Sequence, residues 1–193
     1  MNDQKIRLFI AVPIEEQSQM LTSMQQYAER TLNPLIAPAA FYPSKDFHLT
    51  IAYIGSISSE YLEIVQMVLA DAAEQFQEIN MPVRLQWQGE MRLFNNALSV
   101  TFAYDQGILL LARMIHEALL EAEIPFDQRY DFTPHMTLGR IKPIEALRKA
   151  SVKRALQTFF ETSSAHTLAP IAVKRVGLYV SGEVTPFFVC PLR

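Results

Sequence analysis

The sequence predicts an α+β fold of two similar lobes, each an antiparallel sheet with helices on its outer face, set around a central cleft. Three observations predict it. The order strand, helix, strand, helix occurs twice along the 193 residues. The second strand of each set carries the same frame, His-apolar-Thr-apolar, as His48-Leu49-Thr50-Ile51 and His135-Met136-Thr137-Leu138. The histidines stand 135 − 48 = 87 residues apart, and in a strand residues two apart share a face. A pseudo-twofold axis relating the lobes would therefore bring both His-Thr faces to one cleft.

The elements follow in order. Residues 6–13, "IRLFIAVP", are a continuous apolar run ended by Pro13, the pattern of a strand buried on both faces. Met20, Met24, Tyr27 and Ala28 recur at helical spacing and predict an amphipathic helix over 15–32. Pro34 and Pro38 break the chain before "DFHLTIAYIG" (46–55), the first His-Thr strand. Ser58 or Ser59 can cap a second helix with Tyr61, Val65, Val68, Leu69, Ala72 and Phe76 on its apolar stripe. A strand over 82–88 and a second, "ALSVTFAY" (97–104), precede a helix marked by Ile108, Leu111, Ala112, Ile115, Leu119 and Ala122. Then comes "DFTPHMTLGR" (131–140), after which Pro143 opens a helix with Leu147, Ala150, Leu156 and Phe159 inward. Strands over 171–180 and 185–190 complete one domain, residues 1–193, of two intertwined lobes.

Half the residues are hydrophobic and 19% are charged, enough for a well-filled core. A net charge of −3 argues against broad electrostatic binding of long nucleic acid, though not against a local basic cleft. The lone cysteine, Cys190, leaves no internal disulfide and reads as a small buried hydrophobe of a reducing compartment. The apolar run Leu8–Ile14 is too short for a signal peptide or a membrane span, so a cytoplasmic monomer without membrane association is expected.

Two of only four histidines share the motif; at average composition such a recurrence arises in roughly one chain in a thousand. Histidine titrates near neutrality, so a pair flanking one substrate supplies a base for an attacking oxygen and an acid for a leaving one. The threonine hydroxyls on the same faces suit the non-bridging oxygens of a phosphoryl group. Neither motif places a carboxylate or thiol beside its histidine as a zinc site would want. Gly-x-Ser-x-Gly, a phosphate loop ahead of Lys-Ser/Thr, and Gly-x-Gly-x-x-Gly are all absent. The residues point to acid–base chemistry on a phosphodiester, with no cofactor and no metal.

The paired His-x-Thr-x motifs, the N-terminal "RLFIAV" and the second motif "TPHMTLGR" together resemble the 2H phosphoesterase superfamily, and within it the bacterial RNA 2′,3′-cyclic phosphodiesterases of the 2′-5′ RNA ligase family. The resemblance covers nearly the whole chain. It implies a bilobal 2H phosphoesterase-like fold and metal-independent opening of a terminal 2′,3′-cyclic phosphate to a 2′-phosphate. It implies His48 as proton donor to the leaving 3′ oxygen and His135 as the acceptor that activates water. Relatives often carry an Arg-Val-Leu-Trp-like strand where this chain reads "RLQWQGEMRLFNNALSV", and Tyr53 stands where phenylalanine is common. The residues alone leave the choice of 2′ or 3′ oxygen open, because symmetric arms accept either orientation.

Thr50, Thr137 and Arg140 are the candidate phosphate ligands. Arg140 lies five residues from His135, so strict alternation sends it to the opposite face unless Gly139 permits a bulge; Arg92 and Arg7 are weaker candidates. Phe41, Tyr42, Tyr130 and Phe132 precede the motifs, and Tyr42, beside Pro43, is the candidate for stacking a nucleobase. His116 and His166 read as surface or partly buried residues. The expected partners are RNA 3′ ends or small nucleotides bearing a cyclic phosphate. The same four motif residues would also serve 2′-5′-linked oligonucleotides or small cyclic nucleotides, or line a non-catalytic RNA-end-binding module.

Overall fold

Antiparallel pairing carries the His-Thr strands into one continuous sheet. The computed structural model describes residues 5–14, 18–32, 40–129, 131–142, 150–155, 169–183 and 185–192. Its strands are β1 (Lys5–Pro13), β2 (Ala40–Phe41), β3 (His48–Ser58), β4 (Val83–Leu85), β5 (Trp87–Phe94), β6 (Ala97–Phe102), β7 (His135–Arg140), β8 (Ile171–Val173), β9 (Arg175–Val180) and β10 (Phe188–Pro191). The helices are α1 (Ser18–Leu32), α2 (Leu62–Ile79), α3 (Gln106–Glu121) and a short segment over 150–155. The main sheet runs β10-β9-β1-β3-β7-β6-β5, with β2 also on β7, while β4 and β8 form a separate pair.

Two half-sheets meet in this order, β10-β9-β1-β3 and β7-β6-β5. They join at a single residue pair, Leu49 opposite Met136, the central residues of the two motifs. The cleft expected between two facing arms is thus the polar face of one sheet, its arms side by side. The opposite face is apolar: Leu49, Ile51, Met136 and Leu138 are buried there with the inner stripes of α2 and α3. Those helices bury Val65, Leu69, Ala72, Ala73 and Phe76 on α2, and Ile108, Leu111, Ala112, Ile115 and Leu119 on α3. Asp105 caps α3, its carboxylate accepting from Gly107 N at 2.9 Å.

Several expected positions differ. Tyr27 and Tyr61 are 40% and 45% exposed, not inward; their phenolic ends gain from water what the apolar stripe does not offer. On α1 the inner stripe is Leu21, Met24, Gln25, Ala28 and Leu32. Ala150 is exposed and Val152 is the buried residue of the 150–155 turn. Leu147, Leu156, Phe159, Tyr130 and His166 lie outside the described residues. The expected single strand over 82–88 is divided: β4 (Val83–Leu85) pairs with β8, and β5 begins at Trp87 in the main sheet and runs to Phe94 and a hairpin whose turn residue Asn95 takes φ +53°. Cys190 is buried, and that burial pushes its thiol pKa up. Among the described residues no helix is long and apolar enough to cross a membrane.

Candidate active site

The pair Leu49–Met136 fixes the site. In antiparallel strands the residues flanking such a pair also come opposite one another, so His48 faces Thr137 and Thr50 faces His135. All four side chains share one face, around a local twofold axis through the central pair. The two histidine Cα atoms are then about 8 Å apart, from two residue rises along the strands and one strand spacing across them.

Each imidazole is held in the same way. His48 Nδ1–H donates to the carbonyl of Asp46 at 2.7 Å, and His135 Nδ1–H donates to the carbonyl of Thr133 at 2.7 Å. A carbonyl can only accept, so Nδ1 carries the proton and Nε2 is the nitrogen presented to a substrate. Aromatic rings fix both imidazoles from the side. Phe9 lies 5.0 Å from the His48 ring and Tyr179 5.9 Å, while Phe94 lies 4.8 Å from His135. Burial pushes the His48 pKa below its usual 6.5, and the charge of His135 adds to this. The hydrogen bond to Asp46 and the Asp46 carboxylate work against it. The Oδ1 of Asp46 is buried and finds no hydrogen-bond partner among the described residues.

Both strands bulge immediately after the motif threonine. On β3 the register jumps from Ala11–Thr50 to Ile10–Ala52, leaving Ile51 as the extra residue; on β7 it jumps from Ser99–Thr137 to Leu98–Gly139, leaving Leu138. A bulge inserts one residue against one partner and so resets the alternation beyond it. Arg140 therefore returns to the polar face, where it lines the cleft and donates from Nε to the Tyr42 hydroxyl at 3.0 Å. Tyr53, its counterpart on β3, also lines the cleft. Gly139 is required because β2 crosses closely: a Cβ there would stand 2.7 Å from Ala40 O and 2.9 Å from Phe41 Cα.

A bulged residue's carbonyl leaves the ladder and must be satisfied elsewhere. His116 Nε2 on α3 donates to Ile51 O at 2.8 Å. Gln25 Nε2, buried on α1, donates to Leu138 O at 2.9 Å and to Tyr42 O at 2.6 Å. The two helices thus clamp equivalent points of the two arms. His116, read from sequence as an ordinary residue, holds the first arm; Gln25 was missed, though a glutamine inside an apolar helical stripe is a readable signal. The arms also differ. Fully buried Ser99 lies 3.2 Å from the Thr137 hydroxyl, whereas Thr50 has Ala11 opposite it.

The cleft above this face has a volume of ≈ 1030 Å³. Its lining includes His48, Thr50, Thr137, Arg140 and Tyr42; His135 belongs to the same face by register but is not among the lining residues. Arg7 and Arg92 are exposed and are not among its lining residues. Phe41 and Phe132 pack against the core. Lys45, Asp46, Arg175 and Tyr179, which the sequence did not single out, line it too.

Solved structures share this arrangement of strands and helices. E. coli LigT complexed with 3′-AMP matches over 98% of this chain and 99% of its own, at 16% identity and a TM-score of 0.62. TT0787 of Thermus thermophilus matches over 96% and 93%, at 20% identity and a TM-score of 0.58. The MHV ns2 PDE domain matches over 72% and 85%, at 14% identity and a TM-score of 0.53. At such identities the likeness is one of fold. The sequence model for the AKAP7 2′5′ RNA ligase-like domain matches residues 7–185, nearly the whole length, and the chain belongs to that family, within the 2H phosphoesterase superfamily.

Proposed function

We propose that this chain opens the terminal 2′,3′-cyclic phosphate of RNA, or of a small nucleotide, to a 2′-phosphate without a metal ion. One observation supports the reading most: the register of the Leu49–Met136 pair, from which the two motif histidines and the two threonines come to one face about a twofold axis. His135 Nε2 takes the proton of an attacking water, whose oxygen bonds to phosphorus. The P–O3′ bond breaks, and His48 Nε2–H protonates the departing 3′ oxygen. Thr50, Thr137 and Arg140 hold the non-bridging oxygens, and Tyr42 positions Arg140 or stacks on the base. Burial disfavours the charged form of His48. The anionic diester and the Asp46 carboxylate favour it, so the acid acquires its proton as substrate binds. E. coli LigT, which shares this fold, is known in a crystal structure complexed with 3′-AMP, and that supports a nucleotide as ligand here.

The test is turnover of nucleoside 2′,3′-cyclic phosphates in EDTA, with phosphorus NMR of the product. A 2′-phosphate is expected. His48→Ala and His135→Ala should each lower kcat/KM by about 10²–10⁴, and the double variant little further, because the two act as a unit. Turnover confined to 2′-5′ dinucleotides would reassign the substrate, and binding without turnover of either would make the chain an RNA-end-binding module. A 3′-phosphate product would reverse the roles of the leaving oxygens.

A further inference from the structure

The cleft is far larger than a reacting phosphate needs, and its extra room lies to one side. From β7 come only Thr137 and Arg140; the other lining residues belong to β1 and Ile14 after it, to Tyr42 and 44–47 before β3, to β3 and β9, and to residues 181–183 and 185–186. Pro186 folds back over β9, with its Cβ 2.9 Å from where a Gly177 Cβ would stand. This builds a side wall beyond Tyr179.

Arg175 stands on the floor of that extension. Pro13 lies opposite His48, and Ala11 lies opposite Gly177 on β9. Alternation then puts Tyr179, Gly177 and Arg175 on the polar face, in line with Phe9, Ala11 and Pro13. His48, Pro13 and Arg175 make one row across three strands, so the Cα atoms of His48 and Arg175 are about 10 Å apart, two strand spacings. The charge of Arg175 reaches the Tyr179 hydroxyl, and the strand order puts Arg175 on β9 and Arg140 on β7, on opposite sides of the strand that carries His48. Arg140, His48 and Arg175 thus form a cation–imidazole–cation series along the cleft floor. Among the lining residues Lys45, Arg140 and Arg175 face two carboxylates, Asp46 and Glu183.

We propose that Arg175 forms a second anion subsite. It takes a phosphate one nucleoside away from the phosphate at His48 and Thr137: the 5′-phosphate of a nucleotide, or the next phosphodiester of an RNA chain. This rests on the reading that the reacting phosphate sits at the His-Thr pairs. A guanidinium suits the group because its planar fork matches two phosphate oxygens.

Calorimetric binding of adenosine 3′-monophosphate, adenosine 3′,5′-bisphosphate and the dinucleotide ApAp tests it. The bisphosphate should bind at least about tenfold tighter than the monophosphate, and Arg175→Gln should remove most of that difference. A gain with the bisphosphate alone identifies a terminal 5′-phosphate as the occupant; a gain with ApAp as well identifies the RNA chain. Affinities within twofold for all three ligands overturn the proposal without any variant, and a preference that survives in Arg175→Gln overturns it too. Binding needs no turnover. A protein that shows the preference but opens no cyclic phosphate keeps the subsite and loses the proposed reaction.

Discussion

Replacing Gly139 by alanine should damage both stability and chemistry, by amounts the geometry sets. The new methyl group would lie 2.7 Å from Ala40 O and 2.9 Å from Phe41 Cα, which is 0.7 and 0.5 Å short of ordinary contact at 3.4 Å. Both of these atoms are backbone, so no side-chain rotation relieves them, and Phe41 Cδ1 obstructs at 2.9 Å as well. Strand β2 must lift away from β7, although Tyr42 N donates to Leu138 O at 2.9 Å and Gln25 ties the same two residues. Overpacking of this kind costs about 1–3 kcal/mol. For a chain of this length that is a fall in Tm of roughly 2–12 °C. The same displacement carries away the Tyr42 hydroxyl that orients Arg140, and losing a charged hydrogen bond of about 1.5–3 kcal/mol should lower kcat/KM by about tenfold or more. Scanning calorimetry and kinetics on a 2′,3′-cyclic mononucleotide measure the two effects. A double cycle with Arg140→Ala separates them, since the kinetic losses should overlap if the bulge acts through Arg140. A Gly139→Ala protein that melts and turns over like the parent would refute the claim that β2 presses on the bulge.

Two further outcomes follow from the arms. The folded His48 pKa lies below 6.5, so between that value and 6.5 the unfolded chain binds more protons and stability falls as pH drops. Urea unfolding at pH 7.5 and 5.5 should show a larger acid loss in the parent than in His48→Gln, and equal losses would contradict the burial argument. Ser99→Ala removes the partner of the Thr137 hydroxyl; it should cost about 0.5–1.5 kcal/mol and lower kcat/KM. A fall in Tm with unchanged kinetics would show that Ser99 does not orient Thr137.

The His-Thr frames were legible because a strand's period of two is rigid: His48 with Thr50, and His135 with Thr137, can only share a face. Pairing partners were not legible. Nothing local announces that Leu49 meets Met136, a contact between residues 136 − 49 = 87 apart. The same holds for the bulges, which arise from the mismatch of two strands: alternation alone misdirects Arg140, and only the extra residue Leu138 returns it to the polar face. Helix stripes were read well where Leu, Ile and Val define them, as on α3, and poorly at Tyr27 and Tyr61, whose rings tolerate either side. Strand β5 was cut short because Gln86, Gln88, Gly89 and Glu90 break its alternation. The pair Asn95-Asn96 between two apolar runs was its readable hairpin signal.

The axis between Leu49 and Met136 has a consequence for direction. A contact in which each strand offers the other the same surface is what two identical half-length chains would form as a symmetric dimer. Such a dimer would bind a cyclic phosphate in either of two orientations and release either oxygen with equal ease. Covalent continuity of the halves lets one arm differ from the other, and three of the differing positions bear on the polar face. Asp46 stands where the second arm has Thr133, Ala11 where it has Ser99, and Tyr53 where it has Arg140. Asp46 and Arg140 both stand on the His48 side and Tyr53 on the His135 side, so a ring bound across the pair meets unlike neighbours in its two orientations. The two histidines thus keep unlike surroundings, although the two motifs are the same.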